Sequence, residues 1–209
     1  MQQWTSSGVF AAIFAELLRY YDRRRGIRWR WASLDSAMVK APKGEQMPLR
    51  HLPGVVASPA TGPNPTDRAK LGVKRHLLTD ERGVPLAAII TAANVHDKWM
   101  VAQTLDAVAL RAARGPRRPT HLCLDKGYDY RDAEAAVRAR GIRPHIRRRG
   151  ENALLGCVRG KARRWVVERT NSWHNRFRAL LVRWERKAEH YQAMLHLACG
   201  LIAFRQACR

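Results

Sequence analysis

Two consecutive apolar runs joined by a tight turn constrain the fold of this chain more than any other feature of its sequence. The runs KLGVKRHLLT (70–79) and VPLAAIITAA (84–93) are rich in Val, Ile, Leu and Thr. The turn DERG between them contains the Asp and Gly that are typical of a hairpin. The sequence therefore predicts two paired strands in the middle of the chain.

Helical and strand patterns alternate on both sides of this hairpin. Apolar residues at helical spacing predict a helix over 8–21, and alternating Trp and Arg predict a strand that starts at Ile27 and carries Asp35. Beyond the hairpin, the patterns predict a helix over 98–113, a strand over 120–125, a helix over 131–140 capped by Gly141, a strand over 143–147, and two long helices over roughly 162–186 and 188–207.

This order of elements is mixed α/β and predicts a central sheet with helices on its faces. We expect an N-terminal helical segment over 1–26 and a main domain over 27–209, with a flexible, Pro- and Gly-rich loop near 41–69. Ligands gather at strand ends in such sheets, so Asp35 and Asp125 are candidates for one site.

The charge of the chain indicates its partner. The 209 residues include 39 Lys and Arg against 17 Asp and Glu, which gives a formal net charge of +22. Such an excess favours a polyanion, and nucleic acid is the usual one; the alternative is a solvated basic surface. The sequence has neither a secretory signal nor an apolar run long enough to span a bilayer, so we expect a cytoplasmic protein.

A third acid lies on a predicted helix near the end of the chain. The segment RRWVVERTNSWHNRFRALLVRWE (163–185) carries Glu168 beside an apolar stripe, on which Trp173 and Trp184 are predicted to be core residues. The alternative for Glu168 is an exposed ion pair with Arg164. Three carboxylates at two strand ends and one helix suit Mg²⁺, which prefers oxygen ligands. Two such ions can stabilise both oxygens of a phosphodiester displacement.

Four blocks in this order resemble bacterial insertion-sequence transposases of the DDE superfamily, in the branch called insertion sequence family five, which is related to family four. The blocks are SLDSAMVKA with Asp35, the hairpin segment GPNPTDRAKLGVKRHLLTDERGVPLAAIITAANVHD, LCLDKGYDY with Asp125, and VVERTNSWHNRFRALLVRWE with Glu168. The related signature keeps its Arg at Arg164 and its Glu at Glu168, whereas Lys161 and Asn175 replace its Tyr and its Lys.

The resemblance implies an RNase H-like (retroviral integrase-like) fold and the activity of a transposase. Asp35, Asp125 and Glu168 would be the catalytic residues and would hold two Mg²⁺ ions, for which Mn²⁺ could substitute. The enzyme would cut DNA at the ends of an insertion sequence and join those ends to target DNA, as a homodimer or larger assembly in the bacterial nucleoid. An upstream-frame product that supplies an N-terminal DNA-binding segment is a further candidate partner.

Residues beside these motifs are candidates for contacts to DNA phosphates. They are Arg68, Lys70, Lys74, Arg75, Lys126, Tyr128, Arg147, Arg148, Arg149, Lys161, Arg163 and Arg164. Two alternatives to a transposase remain open at the level of sequence. One is an RNase H-like nuclease that cuts without joining, and the other is a non-catalytic DNA-binding remnant of a transposase.

Overall fold

A mixed β-sheet forms the centre of the protein. The computed structural model describes residues 2–45, 60–112, 115–116, 118–146 and 165–209. The strands are β1 (Trp31–Lys40), β2 (Gly62–Pro63), β3 (Leu71–Asp80), β4 (Pro85–Ala92), β5 (Arg111–Ala112), β6 (Gly115–Pro116), β7 (His121–Leu124) and β8 (Arg143–Ile146). The main strands follow the order β4–β3–β1–β7–β8, with the short β2 also paired to β3, while β5 and β6 form a separate hairpin.

Strand direction makes the sheet mixed. β3 is antiparallel to both β1 and β4, whereas β7 is parallel to β1 and β8 is parallel to β7. The helices are α1 (Gln2–Ser6), α2 (Val9–Arg25), α3 (Val101–Asp106), α4 (Arg131–Arg138), α5 (Trp165–His174), α6 (Arg178–Leu181) and α7 (Ala188–Ala207). Two short 3₁₀ turns, Asp97–Met100 and Lys126–Tyr128, follow β4 and β7. None of the described helices is long and apolar enough to cross a membrane.

Helices cover both faces of the sheet. Neighbouring residues of a strand point to opposite faces of the sheet. The contacts of Lys74 and Arg75 in β3 therefore identify the helices on each face. Lys74 reaches Asp97 on the α3 side, and Arg75 reaches Asn175 at the end of α5. The N-terminal helix α2 packs along α7 and buries Phe14, among other residues, in the common core.

The sheet, its flanking helices and the helical C-terminus confirm the predicted mixed α/β architecture, a central sheet with helices on its faces. The hairpin strands β3 and β4 lie where the sequence predicts them, within one or two residues at each end. Of the predicted loop, residues 46–59 lie outside the described residues, and Gly62–Pro63 forms β2. The division at residue 26 stays a prediction.

Two predicted helices are shorter than expected. The helix expected over 98–113 ends at Asp106. The helix expected over 162–186 ends at His174, and after α6 the backbone N–H of Arg183 donates to the carbonyl of Lys40 over 2.8 Å. This bond ties the chain to the edge of β1 and turns Trp184 outward, where it is 59% exposed. The prediction that Trp184 is a core residue was therefore wrong.

Candidate functional site

Asp35 and Asp125 lie level with each other on neighbouring parallel strands. Ser33 of β1 pairs with Cys123 of β7. Asp35 lies two residues after Ser33 in β1. Asp125 lies two residues after Cys123, directly after the end of β7 at Leu124. Because side chains two apart along a strand share a face, this register directs both aspartates to one face of the sheet. Both side chains are half-buried.

The turn after β7 fixes the orientation of the second aspartate. Asp125 precedes the 3₁₀ turn Lys126–Tyr128, and its carboxylate accepts a hydrogen bond from the backbone N–H of Lys126. The Tyr128 N–H in turn donates to the Asp125 carbonyl over 3.0 Å. A carboxylate held by its own turn loses little side-chain entropy when it binds a ligand.

Tyr128 lies among three acidic residues. Its side chain is 2% exposed, and burial raises the pKa of its phenol well above the usual value. The negative charges of Asp97, Asp35 and Asp125 raise that pKa further. The phenol therefore stays protonated and neutral beside these carboxylates at any ordinary pH.

Helix α5, which carries Glu168, contacts the strand that carries Asp35. The amide Nδ2 of Asn171 donates to Oδ2 of Asp35 over 3.2 Å, and Oδ1 of Asn175 accepts from Arg75 over 3.1 Å. Glu168 lies three residues before Asn171 and therefore on the same side of the helix. Its side chain is exposed. The polar side of α5 thus faces the half of the sheet that carries Asp35.

The turn between β3 and β4 anchors α5 in this position. Oγ1 of Thr170 donates to the carbonyl of Gly83 over 2.7 Å, and the Arg169 guanidinium donates to the carbonyl of Arg82 over 2.6 Å. Gly83 has φ of +84°, and a Cβ at this position would lie 2.8 Å from Oγ1 of Thr170. Only glycine meets both requirements without strain. Val166, one helical turn before Thr170, and its neighbour Val167 are buried in the core.

The donor chemistry of this region fits a hard divalent cation. Mg²⁺ keeps several waters and commonly takes one or two carboxylates from the protein, and Asp35 and Asp125 can supply two. Within the described ranges, no three His, Cys, Asp or Glu side chains stand close enough together to hold one ion. Glu168, exposed on α5, is the remaining carboxylate of the predicted set.

The structure distributes the predicted DNA-contacting residues unevenly. Arg68 and Lys70 are exposed and Lys126 is half-buried. The predicted residues Arg147, Arg148, Arg149, Lys161, Arg163 and Arg164 lie outside the described residues.

Three residues of the predicted set point into the protein instead. Lys74, Arg75 and Tyr128 are 4%, 4% and 2% exposed. The Lys74 ammonium donates to the carbonyl of Val95 over 2.7 Å and pairs with Asp97 over 2.9 Å. Burial counts against direct phosphate contacts for these three residues.

Sequence reasoning did not single out two contacts that organise the region. The bond from Asn171 to Asp35 could have been suspected from its position one helical turn after Glu168. The pair of Lys74 with Asp97 had no such signal, because the two residues are 23 positions apart. Exposed His96, just before Asp97, accepts from the backbone N–H of Lys98 and so caps the 3₁₀ turn Asp97–Met100.

The sequence of this chain is similar to a known protein family and to a known relative. A family model described as "Transposase DDE domain" matches residues 31–202. A protein of Burkholderia cepacia, assigned as the transposase of insertion sequence element IS402, is 47% identical over 150 residues, which cover 70% of this chain and 69% of that relative.

Among solved structures, this chain is similar to two complexes of one transposase. The Mos1 transposase paired-end complex with left transposon end has a TM-score of 0.35 at 12% identity, and the match covers 98% of this chain and 63% of that chain. The Mos1 mariner paired-end complex with Mn has a TM-score of 0.36 at 12% identity, over 100% of this chain and 63% of that chain. This chain thus spans just under two thirds of the length of either.

Proposed function

Because this chain belongs to the transposase DDE domain family, whose model matches residues 31–202, we propose that it cuts DNA at the ends of an insertion sequence and joins those ends to target DNA. The bond from Asn171 to Asp35 is the observation that carries this proposal. It connects the helix of Glu168 to the strand of Asp35, and the register of β1 and β7 adds Asp125. These two observations support the proposal that the three acids of the family resemblance act together.

The residues of the chain have separate tasks in this proposal. Asp35 and Asp125 would hold the metal, and Glu168 would complete the set from α5. A bound divalent metal ion would stabilise the negative charge that develops on the attacking and leaving oxygens of the phosphodiester. Asn171 orients the Asp35 carboxylate through its amide, and the backbone N–H of Lys126 orients that of Asp125. Mg²⁺ is the ion that we propose, and Mn²⁺ is the expected substitute.

DNA is the partner in this proposal, as element end and as target. The net charge of +22 supports it, because a polyanion relieves the repulsion among so many cations. Joining two DNA ends in one event requires two active sites, so we propose at least a homodimer on DNA, in the bacterial nucleoid. An upstream-frame product with an N-terminal DNA-binding segment remains a proposed partner.

Nicking of supercoiled plasmid by the purified chain tests the proposal. We expect nicking with Mg²⁺ or Mn²⁺ and none with EDTA. Asp125→Asn should lower the rate by at least about 100-fold, which is the scale for removing a group that stabilises transition-state charge. DNA binding should persist in this variant. The matched control is Asp106→Asn, since Asp106 is a half-exposed aspartate on α3 that pairs with Arg140.

The outcomes separate the transposase from its two alternatives. Strand-transfer products on a second plasmid would establish joining, and nicking without any such product would favour the nuclease. Binding without nicking under either metal would overturn the catalytic proposal and favour the non-catalytic remnant. Equal loss of DNA binding in Asp125→Asn would argue that Asp125 has a structural role instead.

A further inference from the structure

A shallow groove lined by arginines and aromatic rings lies between the end of α5 and the end of α7. Its lining includes Trp173, Arg176 and Phe177 from α5 and the turn after it, and Ile202, Arg205 and Arg209 from α7 and the residues after it. We call it the arginine groove. It offers about 50 Å³ of free volume, far less than a small-molecule site requires. Its shape therefore suits a ligand that lies along the surface.

The charge of the arginine groove is positive and faces solvent. The side chains of Arg176, Arg205 and Arg209 are all exposed. The Arg205 guanidinium lies 5.6 Å from the centre of the Phe177 ring, which holds the charge over an apolar floor. Like charges gathered on one surface repel one another, and an anion bound between them removes that repulsion.

A row of stacked side chains extends the groove along α5. The Arg169 guanidinium lies between two indole rings, 4.6 Å from the centre of Trp165 and 4.9 Å from that of Trp173. Trp173 belongs to both the row and the groove. Aromatic rings interleaved with arginines form the kind of surface on which nucleic acid binds through its phosphates and sugars.

The arginine groove and the acidic site lie on different sides of α5. Residues of an α-helix turn by about 100° each, so Trp173 points about 200° away from Asn171. Asn171 contacts Asp35, and Trp173 therefore faces away from the acids. A DNA segment in the groove would not be the segment whose phosphodiester lies at Asp35 and Asp125.

We propose that the arginine groove binds the phosphate backbone of a second DNA segment while another segment occupies the acidic site. The proposal rests on the proposed function in taking DNA as the substrate and strand transfer at the acidic site as the reaction. A strand-transfer enzyme must hold two DNA segments at once, an end and a target, and the groove provides a separate basic surface for one of them.

Binding of a short fluorescent DNA duplex of arbitrary sequence, measured across potassium chloride concentrations in EDTA, tests the proposal. In Arg176→Ala/Arg205→Ala, we expect the slope of log affinity against log salt to become shallower by about 2, because each phosphate contact contributes about 0.9. Arg176→Lys/Arg205→Lys keeps both charges and should retain most of the slope. Both residues are exposed, so neither change should disturb folding.

The matched control removes two exposed arginines elsewhere, in Arg118→Ala/Arg138→Ala. An equal loss of slope in both alanine variants would show that binding depends on net charge and would overturn the proposal. The assay contains no metal and measures no cleavage, so its result is independent of nicking. A protein that never nicks DNA can still lose salt slope when Arg176 and Arg205 are replaced by alanine. A protein whose salt slope does not change in that variant can still nick DNA.

Discussion

Asn171 contacts Asp35 through an amide, which orients the carboxylate without adding a charge. We expect Asn171→Ala to lower the nicking rate by roughly ten- to a hundredfold, because hydrogen bonds to charged groups contribute about 1.5–3 kcal/mol. Metal-dependent nicking of supercoiled plasmid, followed over time, is the measurement. Ser172→Ala is the control, since Ser172 is the exposed neighbour on another side of α5. An unchanged rate in Asn171→Ala would remove the orienting role.

Single residues were the hardest features to predict from the sequence. Asp35, Asp125 and Glu168 could be named because each stands in a motif with a recognisable pattern. Lys74 and Arg75 read as surface cations, yet both are buried. Their partners Asp97 and Asn175 are 23 and 100 positions away along the chain, and no local pattern predicts contacts at such separations.

Among the elements, α5 depends on a single turn for its position. Gly83→Ala adds a Cβ that would lie 2.8 Å from Oγ1 of Thr170, at a backbone φ of +84°. We expect a loss of about 1–3 kcal/mol in the free energy of unfolding, from backbone strain and from the clash. Nicking should fall further than folding alone explains, because α5 carries Glu168. Urea unfolding and plasmid nicking on the same preparations measure the two effects.

Gly141→Ala is the control that distinguishes the effect of backbone strain from that of the steric clash with Thr170. Gly141 has a similar φ of +71°, but a Cβ there would meet nothing within 4 Å. Gly141→Ala should therefore lower the free energy of unfolding only through the strained backbone conformation, and it should leave nicking by the folded protein unchanged. Equal effects of the two substitutions on stability and on nicking would contradict the proposed anchoring of α5 by Gly83.

Elements whose ends are set by local sequence were predicted well, and elements ended by tertiary contacts were not. The hairpin β3–β4 has its turn residues in the sequence, and its strands were confirmed. The predicted helix over 162–186 has no Pro or Gly to stop it. It ends at His174, and beyond α6 the buried Arg183 guanidinium donates to the carbonyl of Ala60 over 2.8 Å and to Oγ1 of Thr61 over 2.7 Å. These partners lie 123 and 122 positions away along the chain, where helical periodicity carries no information.

At the scale of the whole molecule, the stability of the fold should depend on salt through the net charge and on pH through the buried histidines. Exposed arginines and lysines repel one another, so added salt or bound DNA should stabilise the fold. The buried histidines respond to protons instead. His76 is 0% exposed and lies in the sheet, and His174 is 1% exposed and lies at the end of α5. Both belong to the packed structure around the acidic site, so acid should act on that region directly.

Stability should therefore fall as the pH drops below about 6.5. Burial lowers the pKa of His76 from 6.5 to about 4, and burial together with the charge of Arg75 lowers the pKa of His174 to about 3. Between these values and 6.5 the unfolded chain binds more protons than the folded chain. The contribution of each histidine is then complete above pH 6.5 and is lost as the pH falls toward the folded pKa.

Urea unfolding at a series of pH values from 8 to 4 measures this loss. Shifts of about 2.5 and 3.5 pKa units correspond to roughly 3–5 kcal/mol for each group, which is a large part of the stability of an ordinary domain. His174→Gln should flatten the dependence, because glutamine does not titrate. Ser172→Ala, an exposed change that involves no titrating group, should leave the dependence unchanged. A stability profile that stays level from pH 8 to pH 4 would show that the two histidines do not remain neutral in the folded protein.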